Sequence, residues 1–114
     1  MNVEHLNKPQ INELALMLGD EFPEFVRTFI SHSEELIDSL KKNLVTSDHD
    51  AFIISIHSLK GSCRNIGAEL LANDCLQIET VARSDNFSSI DSELTDICSE
   101  FYNLKATLLK LARI

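Results

Sequence analysis

The sequence has little glycine, proline or cysteine, and it contains no long hydrophobic run. Only three glycines and two prolines occur among 114 residues, so long helices are favoured over many short strands. No apolar run approaches the ~18 residues that a transmembrane helix needs. The N-terminus lacks the basic start and apolar stretch of a secretory signal. These absences predict a helical, cytoplasmic protein.

Basic residues are also scarce, with 10 lysines and arginines against 18 acidic residues and a formal net charge of -8. A surface of this sign repels phosphate backbones and anionic lipids, so we expect neither nucleic acid nor membrane as a partner. The three cysteines, Cys63, Cys75 and Cys98, form no Cys-x-x-Cys pair. They are interpreted as small reduced residues of the core.

Apolar residues make up 44% of the chain, which predicts a single domain over residues 1–114 with its own core. They recur in steps of three and four, the period of amphipathic helices. A short first helix begins at Asn7, a capping residue, with Pro9 in its first turn and Gln10 at the capping-box position. Gly19 ends this helix, and Asp20 is predicted to cap the next.

Four longer amphipathic helices follow the short one. Counting the short helix as the first, the second helix ends at residues 46–48, the third ends at Gly67, and the fourth ends near residues 84–86. Ser88 or Ser89 can cap the fifth. Short connections between long helices make antiparallel neighbours, so the sequence predicts an all-α, antiparallel up-down four-helix bundle with a short additional N-terminal helix.

The third predicted helix carries an apolar stripe on one face and a histidine on the other. At 100° per residue, His57 points roughly 140° away from the stripe. Measured from His57 around the helix axis, Arg64 lies at ~20°, Gly61 at ~40° and Lys60 at ~60°. Lys60 is therefore expected to face solvent. A lone histidine on a helix is usually a surface residue without a role. The stripe consists of Phe52, Ile56, Leu59, Cys63 and Ile66.

Gly61 strengthens the case for a functional site. A glycine inside a helix costs ~1 kcal/mol relative to alanine, although the apolar period continues through this position. Gly61 either packs closely against a neighbouring helix or leaves the ring of His57 open to a partner. Because Gly61 faces the same way as His57, we expect the second.

Other residues around His57 have two interpretations each. Lys60 and Arg64 are either ordinary solvated charges or a cationic pair that lowers the proton affinity of His57 and stabilises incoming negative charge. Ile53 and Ile54, one turn earlier, either mark a helix that is buried on more than one side or form an apolar rim for a docking protein.

Residues 57–68 resemble the histidine-containing phosphotransfer (HPt) domain, whose core pattern is His-x-Leu-Lys-Gly-small-small-x-x-hydrophobic-Gly. The likeness includes residues 18–24 and 75–79 and covers nearly the whole chain. It implies that His57 accepts a phosphoryl group, that Lys60 neutralises this group and that Gly61 clears its approach.

The resemblance also implies a role for Glu79, which by its spacing would hold Nδ1 of His57 and leave Nε2 free to attack. Arg64 would add charge stabilisation or select the partner. The implied partners are receiver domains of a hybrid sensor kinase or of response regulators, which bring their own Mg²⁺. A free-standing monomer with no cofactor is expected, and no phosphate loop for ATP is visible.

Two other functions are compatible with a helical bundle. A non-catalytic interaction protein would keep the apolar stripes but would need neither Gly61 nor Lys60 beside His57. A metal-binding protein would need clustered ligands, and no two histidines stand four residues apart. The other three histidines are interpreted as surface residues: His5, His32 and His49.

Overall fold

The fold, obtained as a computed structural model, is described over residues 5–84 and 90–114. Within these ranges the regular elements are helices: α1 (Lys8–Leu18), α2 (Phe22–Thr46), α3 (His49–Ile66), α4 (Glu69–Arg83) and α5 (Asp91–Ala112), with a 3-10 turn at Gly19–Glu21. Helix α3 packs against both α2 and α4, and α5 closes the bundle by packing against the same two helices. The predicted antiparallel four-helix bundle with a short N-terminal helix is confirmed.

The core is one cluster of apolar side chains to which every helix contributes. The predicted stripe of α3 is confirmed, since its five residues have no exposed surface. Burial of each large apolar side chain stabilises the fold by roughly 1.5–3 kcal/mol. In the described part of the chain, the helices are too short or too polar to cross a membrane.

The start of α1 confirms one predicted cap and corrects another. Oδ1 of Asn7 accepts a hydrogen bond from the backbone N–H of Gln10 at 3.0 Å. Gln10 does not complete a capping box, because its Nε2 donates to the carbonyls of Arg64 and Asn65 at 2.8 and 3.2 Å. These carbonyls lie at the end of α3, where helical partners are missing, so α1 caps α3.

Glycine ends two helices as predicted, but the cap of α2 differs from the prediction. Gly19 and Gly67 follow α1 and α3 with φ values of 54° and 87°, which glycine adopts without steric cost. Asp20 lies inside the 3-10 turn, and α2 begins after Glu21 without a side-chain cap. The turn continues directly into α2, so no extended residue is present to act as the cap.

The ends of α4 and α5 lie beside residues outside the described ranges. Helix α4 ends at Arg83, and only residue 84 of the predicted end at 84–86 is described. The predicted caps Ser88 and Ser89 also lie outside the described residues. Ile90 precedes α5 and makes no side-chain cap.

Candidate functional site

His57 lies in the middle of α3 with 63% of its side chain exposed. Gly61 is one turn further along the same face. A Cβ atom at Gly61 would meet no atom of the described residues within 4 Å. The packing interpretation of Gly61 therefore has no neighbour to support it, and space beside the ring of His57 is open.

Glu79 reaches the inner side of that ring from α4. Glu79 is only 4% exposed, and its Oε2 lies 3.0 Å from Nδ1 of His57. Nζ of Lys60 donates to Oε1 at 2.5 Å, while Nη2 and Nε of Arg83 donate to Oε2 at 2.9 and 3.2 Å. One buried carboxylate thus contacts three basic side chains, those of His57, Lys60 and Arg83. We call these four residues the Glu79 cluster.

The charge state of Glu79 determines which nitrogen of His57 carries the proton. Burial alone raises the pKa of the carboxyl, but the hydrogen bonds from its basic partners, that from Lys60 foremost, outweigh burial and lower the pKa from 4.5 to about 2. An ionised carboxylate can only accept hydrogen bonds. In the neutral imidazole, Nδ1 of His57 is therefore the donor and Nε2 is the nitrogen with the lone pair.

Lys60 does not face solvent, and this prediction is wrong. The residue is 9% exposed, because α4 packs against α3 and brings Glu79 to its ammonium group. Its aliphatic stem is covered while its ammonium group ends at Glu79. The positive charge of Lys60 is thus already engaged by a carboxylate.

The predicted docking residues differ in exposure. Ile54 is 67% exposed, whereas Ile53 is half-buried and packs against the core. Arg64 is exposed two turns beyond His57. Ile54 therefore fits the predicted apolar rim, and Ile53 also supports the bundle.

Arg83 is a member of the Glu79 cluster that sequence reasoning missed. It lies four residues after Glu79 in the last turn of α4, a spacing that brings two side chains together on one helix face. With 57% of its side chain exposed, it is the solvent-facing cation of the cluster. The spacing was visible in the sequence, but its meaning depends on the burial of Glu79.

Helix α2 also contributes to the surface beside Gly61, which the sequence did not indicate. A shallow cleft of about 180 Å³ lies between α2 and α3. Its walls include Phe25, Phe29 and His32 from α2 and Ser62 from α3, the residue that follows Gly61. Side chains of α2 therefore contribute to the surface at the position that follows Gly61.

The cysteines behave as predicted core residues. All three are free thiols, with Cys63 and Cys75 buried and Cys98 half-buried. A hydrogen bond with Cys63, together with burial, raises the pKa of the Cys75 thiol, so it stays protonated and unreactive.

The remaining histidines lie away from the Glu79 cluster. His32 and His49 are exposed, as predicted. His5 is half-buried, and its Nδ1 lies 2.7 Å from Oε1 of Glu100 on α5, so its interpretation as a plain surface residue is wrong. In residues 5–84 and 90–114, no three potential metal ligands come together.

Comparison with known proteins identifies a family and a solved structure with the same fold. A family model described as Hpt domain matches residues 24–112. The crystal structure of histidine-containing phosphotransfer protein B from Pseudomonas aeruginosa PAO1 is similar, with 28% identity, a TM-score of 0.93, and coverage of 98% of this chain and 97% of that one.

Two curated proteins are similar in sequence. Histidine-containing phosphotransfer protein 1 of Oryza sativa subsp. japonica is 26% identical over 102 residues, which cover 84% of this chain and 69% of the rice protein. Sensor protein TorS of Escherichia coli (strain K12) is 29% identical over 79 residues, or 68% of this chain. The match spans only 9% of the length of TorS.

Proposed function

The chain belongs to the Hpt domain family, and we propose that His57 is the residue through which it passes phosphoryl groups between receiver-domain aspartates. Histidine phosphotransfer within a phosphorelay is the function that this membership brings. The observation that carries the assignment to His57 is the combination of a 63% exposed side chain with a hydrogen bond from its inner nitrogen to the buried carboxylate of Glu79.

The proposed reaction is an in-line displacement at phosphorus. A receiver with a phosphorylated aspartate docks on the face around His57, and Nε2 attacks the phosphorus. The new N–P bond forms as the P–O bond to the aspartate breaks, and the carboxylate leaves with the electron pair. The receiver supplies the Mg²⁺ that neutralises charge in this step. Glu79 keeps the proton on Nδ1, which orients the ring.

The surrounding residues have proposed roles in docking and in charge stabilisation. Ile54, with support from Ile53, would supply apolar contact, and Gly61 would admit the receiver. Arg64 would contact the partner from its exposed position. Lys60 would act on the phosphoryl group only as far as its ion pair with Glu79 allows.

We further propose that the protein is an intermediate that takes its phosphoryl group from a receiver and not from ATP. Its partners would be receiver domains of a hybrid sensor kinase or of response regulators. It would act as a cytoplasmic monomer without a cofactor of its own. A protein that only binds partners would not need the Glu79 cluster beside an exposed histidine.

Phosphoryl transfer from a receiver tests this function. The protein is mixed with a receiver domain carrying ³²P on its aspartate, and we expect an acid-labile, base-stable label on the protein. His57→Gln should abolish the label with the helical fold intact, whereas His32→Gln should keep it. Labelling of the His57 variant at the wild-type level, or labelling of the protein by ATP alone, would overturn the proposal.

A further inference from the structure

Glu79 binds the two cationic side chains that a phosphoryl group on His57 would seek. Lys60 is bound to Oε1, and Arg83 is bound to Oε2 through two nitrogens. Because Lys60 is buried and paired with the carboxylate, a turn of its ammonium group towards a new anion would weaken that ion pair. One of the two positive charges beside His57 is thus already neutralised by the carboxylate before any phosphoryl group arrives.

A phosphoryl group on Nε2 places further negative charge across one imidazole ring from this carboxylate. The two anions then compete for the same cations. At an effective dielectric constant near 20, the repulsion between two negative charges on opposite sides of the ring changes an equilibrium constant by about tenfold or more. The phosphorylated state therefore bears an electrostatic cost that a neutral residue at position 79 would not impose.

The proton on Nδ1 favours release of the phosphoryl group for a separate reason, because it makes the ring a better leaving group. When Nε2 forms its bond to phosphorus, the proton that Glu79 holds on Nδ1 remains, so the ring carries an imidazolium charge. When the phosphoryl group passes on, the N–P bond breaks, its electron pair returns to Nε2, and a neutral imidazole leaves. A carboxylate keeps this proton in place because it has no donor to offer a deprotonated ring.

We propose that Glu79 is a positioning residue that keeps the phosphoryl group on His57 short-lived, because it withholds Lys60 and Arg83 and retains the proton on Nδ1. The protein would hold the group weakly and release it readily to an acceptor aspartate. This inference rests on the proposed function of His57.

The test compares wild type with Glu79→Gln, which keeps the shape and an acceptor oxygen but removes the charge. Each protein is equilibrated with an equimolar receiver domain phosphorylated on its aspartate, and the label on histidine and on aspartate is quantified. We expect the histidine-to-aspartate ratio to rise about tenfold in Glu79→Gln, with a longer half-life of the isolated phosphoprotein. Asp96→Asn, on the exposed face of α5, makes the same change in net charge and should leave both quantities unchanged.

Arg83→Gln gives a second test that does not depend on the folding of Glu79→Gln, because Arg83 is exposed at the end of α4. It leaves the carboxylate less neutralised, so the ratio should fall below the wild-type value. In the Glu79→Gln background it should remove part of the gain, because Arg83 is then available to the phosphoryl group.

The outcomes separate the inference from the proposed function. An unchanged or lower ratio in folded Glu79→Gln, or a higher ratio in Arg83→Gln, would overturn the inference while labelled His57 still supports phosphotransfer. Absence of label from wild-type protein would overturn the proposed function itself.

Discussion

The molecule contains two histidine–glutamate pairs with similar contacts and different surroundings. His57 of α3 contacts Glu79 of α4 at 3.0 Å, and His5 contacts Glu100 of α5 at 2.7 Å. Each pair joins separate parts of the chain through Nδ1. The contact itself therefore does not distinguish a chemical site from a structural link.

The surroundings make that distinction. Glu79 is buried among cations that lower its pKa, whereas near Glu100 the pKa of Asp74 is raised, first by burial and then by the charges of Glu100 and Asp96. The side chain of His57 is 63% exposed and that of His5 33%. A histidine suited to accept a phosphoryl group combines a buried, neutralised carboxylate on one nitrogen with open space at the other.

The largest expected effect comes from filling the open space beside His57. Gly61→Gln should slow transfer from a phosphorylated receiver by about a hundredfold or more, because a misplaced docking partner loses in-line geometry. Ser99→Gln, at an exposed position beside Glu100, should leave the rate unchanged. Rapid-quench transfer assays measure the transfer rates of both variants.

Gly61→Ala provides the matched small substitution. It should keep near-normal transfer and raise the free energy of unfolding by up to ~1 kcal/mol, since alanine favours the helix and meets no neighbour. Normal transfer in Gly61→Gln, or a destabilised Gly61→Ala, would contradict the open-space interpretation.

The next effect concerns stability and compares the buried ion pair of Lys60 and Glu79 with the partly exposed pair of His5 and Glu100. Lys60→Met retains much of the stem but leaves Glu79 with one partner fewer, so the free energy of unfolding in urea should fall by about 1–3 kcal/mol. His5→Gln breaks a partly exposed pair and should cost less than about 1 kcal/mol. Equal stability of Lys60→Met and wild type would show that the buried ion pair contributes nothing.

The lowered pKa of Glu79 predicts a pH dependence. The folded pKa of about 2 lies below the ordinary value of 4.5, so the unfolded chain takes up the proton first as pH falls. The stabilisation is complete above pH 4.5 and is lost as pH falls to about 2. The difference in unfolding free energy between wild type and Glu79→Gln should shrink by about 3 kcal/mol over that window. A pH-independent difference, measured by urea unfolding at several pH values, would refute this sign.

Asp74, near the other pair, should show the opposite sign and the smallest effect. Its pKa is raised above 3.8, so its ionised form disfavours folding at neutral pH. Asp74→Asn should increase stability at pH 7 by no more than about 0.5 kcal/mol, and the gain should disappear below pH 3.8. A loss of stability at pH 7 would indicate a hydrogen-bonding role for Asp74.

Most of the fold could be predicted from the sequence because apolar periodicity and glycine stops act locally. The stripe of α3 and the ends at Gly19 and Gly67 needed no knowledge of distant residues. Asp20 failed as a cap because the turn before α2 is helical. Gln10 failed to complete a capping box because its partners come from the end of α3, far along the chain.

The site was predictable only in part for the same reason. The positions of His57 and Gly61 follow from helix geometry within α3. The burial of Lys60 depends on how α4 packs against α3, and the contact of Arg83 depends on where Glu79 points. A helical wheel assigns a direction to each side chain but does not say which neighbouring helix covers it.

Protonation of Nδ1 of His57 beside Glu79, with Nε2 as the phosphoryl acceptor, can be observed directly. Long-range ¹H–¹⁵N spectra of the histidine rings should be recorded before and after phosphorylation by a receiver domain. We expect a protonated Nδ1 at His57 in both states, with the phosphorylation shift at Nε2. A phosphoryl group on Nδ1, or on any other histidine, would contradict this expectation.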